Sequence, residues 1–130
     1  MTLKSTSGWM TIKEQPLAES YVQDGSLNPH RCDYMLVYGK PLENYVLKLD
    51  FKISPKCNSG IFLRTFPLKP RPGKDVGFNG IEVAIDDTKT AGFHDTGAIY
   101  DLIPAKVNAM KWANGIMQRS PMITTTKSRW

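Results

Sequence analysis

The stretch Tyr45–Ile53, Y-V-L-K-L-D-F-K-I, decides the fold class. Tyr45, Leu47, Leu49, Phe51 and Ile53 fall on one side of an extended chain; Val46, Lys48, Asp50 and Lys52 fall on the other. Successive side chains of a strand point to opposite faces, so this alternation predicts a strand with one dry and one wet side. A helical period would scatter the same residues around the axis. Lys48, Asp50 and Lys52 then form a solvated ladder on the wet face.

Working outward, the same logic recurs in shorter pieces. Gly8 to Lys13 and Tyr34 to Tyr38 read as strands, with Asp24-Gly25 as a turn between short segments. Downstream, N-S-G-I-F-L-R (58–64), G-I-E-V-A-I-D-D (80–87) and T-G-A-I-Y-D (96–101) are apolar-alternating runs bounded by turn formers. They predict strands over Gly60 to Phe66, Gly80 to Ile85 and Thr96 to Leu102. The intervening P-L-K-P-R-P-G-K-D-V-G-F-N-G (67–80) is rich in proline and glycine and reads as a surface loop. No ten-residue stretch carries a helical stripe. Many short strands with regular turn signals predict an all-β sandwich or jelly roll.

Composition narrows the function classes. At 130 residues the chain is one domain by length, with 41% hydrophobic and 22% charged residues, ordinary values for a globular protein. No apolar run approaches the ~20 residues of a membrane span, and the opening M-T-L-K-S-T-S-G-W lacks the apolar centre of a signal peptide. The net charge of +5 is concentrated at one end: of the 17 basic residues, Lys111, Arg119, Lys127 and Arg129 lie beyond residue 110, where there is no acid. That leaves 13 basic against 12 acidic residues on the body, too even a balance for a phosphate-binding surface, and nucleic acid is excluded as a partner. Cys32 and Cys57 have neither CxxC nor companion histidine spacing, which argues against a zinc site and leaves a disulfide or two thiols open.

The three runs between Asn58 and Tyr100, in this order, resemble the 3-keto-disaccharide hydrolase domain family, over roughly Gly8 to Lys111. The resemblance implies a concanavalin-like jelly roll of two antiparallel sheets. It also implies a carbohydrate substrate, a disaccharide or glycoside already oxidised at carbon 3, and a periplasmic or secreted location. No cofactor is fixed by the pattern, and a divalent metal remains an open alternative. A non-catalytic carbohydrate-binding module on the same fold is the competing class, with Tyr100, Phe62 and tryptophans as sugar platforms. A laminarinase-type glycosidase is weaker, because the E-x-D-x-x-E arrangement is missing and Glu82 and Asp86 are about 13 Å apart along a strand. A direct glycosidase pair needs about 5–10 Å.

Candidate site residues follow from the alternation. Glu82, Ala84 and Asp86 share one face of their strand, and the apolar Ile81, Val83 and Ile85 share the core face. Glu82 and Asp86 are candidate bases, and Arg64, on the face of Phe62, Gly60 and Asn58, is a candidate cation for an enolate oxygen or sugar hydroxyls. A structural Arg–Glu pair across strands is the alternative for Arg64. His94, in the loop between the last two runs, is a candidate proton shuttle or metal ligand. Asn58, Phe62 and Tyr100 are candidate substrate contacts, although Asn58 also suits a plain turn and Tyr100 an ordinary strand position.

The end of the chain departs from the family pattern. After T-G-A-I-Y the family leads to G-E-W-N and then E-I-T, whereas this chain has W-A-N-G-I-M-Q-R-S-P. A permitted codon choice for Lys111 onward, read from the third base of the Lys111 codon, gives Met-Gly-Glu-Trp-Asn-Asn-Ala-Glu-Ile-Thr. Part of this is forced: Trp112 followed by Ala113 requires Gly in that frame, and Met117 followed by Gln118 requires Ala. The expectation is a frameshift in the gene or its sequencing, with 1–111 a partial domain and 112–130 a non-native or disordered tail. The family's opening strand near F-N-G-K-D-L is absent too, so unpaired sheet edges open to self-association are expected.

Overall fold

A computed structural model describes residues 6–28, 35–65, 80–87 and 90–107, and the backbone of 111–113 and 116–126. The chain is all-β, with small antiparallel sheets as in a β-sandwich, and one 3₁₀ turn at Glu19–Tyr21. Among the described residues no helix is long and apolar enough to cross a membrane.

The chain divides into two compact units. The first comprises residues 1–45 and 125–130. Here β1 (Trp9–Thr11) pairs antiparallel with β4 (Leu36–Tyr38), so that Trp9 lies opposite Tyr38. Their rings meet edge-on at 5.5 Å and 66°, a favoured aromatic geometry. Gly8 (φ +85°) brings its backbone against the Tyr38 ring, where a Cβ would come within 2.9 Å. The hairpin of β2 (Val22–Gln23) and β3 (Ser26–Leu27) turns at Asp24 (φ 48°) and Gly25 (φ 71°), the two left-handed residues that match the twist of a tight hairpin.

The second unit, 46–124, carries the site. Strand β5 (Tyr45–Ile53) alternates half-buried and exposed residues along its length and ends on buried Ile53, as its sequence predicts. It lies beside β9 (Ile116–Thr126), which pairs on its other side with β8 (Lys111–Ala113). The sequence predicts no strand past Lys111, and the backbone there differs. Ile123-Thr124-Thr125-Thr126 is a β-branched run that favours the extended chain even without alternation. Pro121 lies beyond the β8 ladder, which ends at Gln118, so its missing N–H falls where β9 has lost one neighbour.

Strand β6 (Asn58–Leu63) pairs antiparallel with β7 (Ile81–Asp86), in register Asn58↔Asp86, Gly60↔Ala84 and Phe62↔Glu82. Buried Leu63, Val83 and Ile85 supply the apolar side, while Ile81, at the mouth of the strand, is exposed. The predicted strand to Phe66 stops at Leu63 because Arg64 adopts φ 55°. The proline-rich loop lies within 66–79, outside the described residues. The predicted strand over Thr96 to Leu102 is reduced to the bridges of Ile99 with Val83 and Ile103, since Gly97 (φ 92°) and Asp101 (φ 58°) turn the chain at either end.

Candidate active site

Two backbone segments flank β7. On one edge stands β6; on the other, Ala84 N–H donates to Ala98 C=O and Tyr100 N–H to Glu82 C=O, both at 3.0 Å. Glu82 is thereby set between Phe62, its cross-strand partner, and Tyr100. Its carboxylate reaches diagonally over Gly60, where a Cβ would stand 2.8 Å from Glu82 Cδ and closer still to Oε1. Glycine at position 60 is therefore what leaves room for the carboxylate on this face. Burial pushes the Glu82 carboxyl above its ordinary value of 4.5, because the charged form loses water.

The predicted row Glu82, Ala84, Asp86 is not one continuous polar surface. Ala84 is 2% exposed and packs with Ala98 and Ala105, so the chain over 92–105 closes across the middle of the row. Glu82 and Asp86 occupy its two ends. At the far end, Thr96 Oγ1 accepts from Asp86 N–H at 2.8 Å and donates to Asp86 C=O at 2.7 Å, from a position 3% exposed. Asn58 is exposed and faces Asp86 in register. Nearby, the free Cys57 thiol is pushed up by burial and, secondarily, by the Asp86 and Asp87 carboxylates. Asp87 accepts a hydrogen bond from Lys56 N–H and donates its own N–H to Cys57 C=O, pinning the turn between β5 and β6. Cys32 lies outside the described residues.

Arg64 does not continue the face of Phe62 and Gly60 as alternation predicts. Its left-handed backbone falls directly after the strand, and the residue is exposed. Gly80 (φ +95°) packs against this corner, where a Cβ would come within 2.5 Å of Leu63 O. His94 stacks on Tyr100, centroids 4.5 Å apart and planes at 25°, and its Nε2 lies 2.5 Å from Asp101 Oδ1. Asp101 and Thr96 are the side chains that sequence reasoning missed. Both stand in T-G-A-I-Y-D, whose polar ends read as strand boundary. Buried Asp95, bonded to Thr90 Oγ1 at 2.8 Å, was missed as well and organises the loop beneath them. Among the described residues no three His, Cys, Asp or Glu side chains gather as a metal set.

The fold defines an all-β domain in which the half-buried Glu82 stands between the strand positions of Phe62 and Tyr100. The family is shown directly. The model of the 3-keto-alpha-glucoside-1,2-lyase-like domain matches residues 4–122, and the chain belongs to that family. No curated protein and no solved structure gave a match.

Proposed function

We propose that this protein cleaves 3-keto-glycosides by β-elimination, with Glu82 as the base. The observation that carries the reading is the desolvated Glu82 carboxyl, held between Phe62 and Tyr100 in a chain of this family. A ketone at C3 acidifies the proton on C2. Glu82 takes that proton, and the electron pair left behind is shared with the C3 oxygen as an enolate. Collapse of the enolate forms the C1=C2 bond and breaks the C1–O glycosidic bond. Addition of water across C1=C2 then completes a net hydrolysis.

A raised carboxyl pKa suits this step, since a base is most effective when its pKa lies close to the working pH. Phe62 and Tyr100 offer apolar flanks for the C–H faces of a sugar ring. Neither Arg64, which leaves this face at the corner after Leu63, nor Asp86, beyond the closure at Ala84, is given a part in this step. The experiment is turnover of a 3-keto-glucoside by the wild type and by Glu82→Gln, with thermal unfolding in parallel. A loss of about 10²–10⁴-fold in a variant no less stable than the wild type is expected. Saturable sugar binding without cleavage by the wild type would replace the enzyme with a binding module.

A further inference from the structure

We propose that His94, oriented by Asp101, is the acid that protonates the departing glycosidic oxygen, a reading that rests on the elimination assigned to Glu82 above. Elimination needs two proton-handling groups: one to take the C2 proton and one to neutralise the alkoxide released from C1. Glu82 and His94 flank Tyr100 from two directions. The Tyr100 N–H is bonded to Glu82 C=O, and the Tyr100 ring is stacked on the imidazole.

The His94 ring is held by more than its own side chain. Asp101 N–H donates to the carbonyl of Phe93, the residue before His94, at 3.3 Å. The turn that carries Asp101 is closed by Leu102 N–H and Ile103 N–H on Ile99 C=O, both at 2.9 Å. Asp101 itself sits in the left-handed region at φ 58°, a conformation that aspartate tolerates better than most residues and that recurs at functional turns. The backbone thus fixes both partners of the pair.

The two side chains remain 60% and 68% exposed, and an ion pair this open contributes little to stability. Its consequence is chemical. With Nε2–H donating to the Asp101 carboxylate, Nδ1 is the ring atom left to exchange a proton with substrate. In the protonated ring Nδ1 carries the proton that faces the leaving oxygen. When the C1–O bond breaks, the Nδ1 proton passes to the leaving oxygen and His94 becomes neutral. In the hydration step water adds its oxygen to C1 and gives a proton to Nδ1, while Glu82 returns a proton to C2. Both residues end in their starting states, and no electron is gained or lost.

The test compares two 3-keto-glucosides, one releasing a sugar or alkyl alcohol and one releasing 4-nitrophenol, which departs without a proton. His94→Gln and Asp101→Asn should slow aglycone release from the first by about 10²-fold, the usual worth of acid catalysis, and leave first-turnover release of 4-nitrophenol from the second, which precedes hydration, within about 3-fold. Equal losses on both substrates, or none on the first, would overturn the assignment. A wild type inert toward both would overturn the elimination reading itself. Activity lost on both substrates in Glu82→Gln alone would leave Glu82 as the base and remove His94.

Discussion

Gly60→Ala offers a sharp test of the Glu82 geometry, because it adds one methyl group and no charge. The new Cβ would stand 2.8 Å from Glu82 Cδ and Cγ, where ordinary contact begins at 3.4 Å. The Glu82 side chain has to move by at least the difference, roughly 0.6 Å, and further at the carboxylate, which the methyl group approaches most closely. Pushing a side chain away from its rotamer costs roughly 0.5–1.5 kcal/mol. Replacing Gly by Ala where the backbone permits it returns about 0.4–1 kcal/mol through the unfolded state, and Gly60 is not among the residues with positive φ. The two effects nearly cancel, so the melting temperature should change by only a few degrees. Catalysis has no such compensation: a displacement of about 1 Å at the reacting groups costs on the order of 10²-fold. The assay is kcat on a 3-keto-glucoside beside thermal unfolding of the same preparation. Wild-type turnover in a folded Gly60→Ala variant would refute the placement of the base.

Two further outcomes follow from the same contacts. Because burial raises the Glu82 carboxyl above 4.5, the acidic limb of kcat/KM should lie above that value and vanish in Glu82→Gln. The same shift stabilises the fold below the unfolded pKa and is lost as pH rises through the folded one, so the melting temperature of Glu82→Gln should gain on that of the wild type as pH rises above 4.5. Thr96→Val removes a buried hydroxyl that bonds both Asp86 N–H and Asp86 C=O. It should cost about 1–3 kcal/mol, read by chemical denaturation, while Thr96→Ser keeps most of the stability.

What the sequence made legible is local and periodic. Tyr45–Ile53 could be read residue by residue, because a half-buried strand writes its two faces into alternate positions. Asp24-Gly25 announced its hairpin through two residues that tolerate positive φ. The misreadings sit where one residue leaves the regular backbone. Arginine carries no mark of a left-handed conformation, so the end of β6 was extended through Arg64. Gly97 lies inside a run that otherwise alternates, which hid the turn that brings Thr96 to Asp86 and Tyr100 to Glu82. The burial of Ala84 depends on Ala98 and Ala105, distant in sequence, and no pattern within β7 reveals it. The carboxylates were found from alternation; the closure between them required the fold. Asp101 is the last letter of T-G-A-I-Y-D, and its contact with His94 depends on the fold.

The central claim is that glycosidic cleavage proceeds through removal of the C2 proton by Glu82. Reaction of a 3-keto-glucoside in deuterium oxide, followed by proton NMR of the released 3-keto sugar, addresses it directly. The account predicts solvent deuterium at C2 of the product, with both incorporation and cleavage lost in Glu82→Gln. Product without solvent deuterium at C2, together with unchanged cleavage of a substrate deuterated at C2, would contradict it, since the C2–H bond would then not have broken in the reaction.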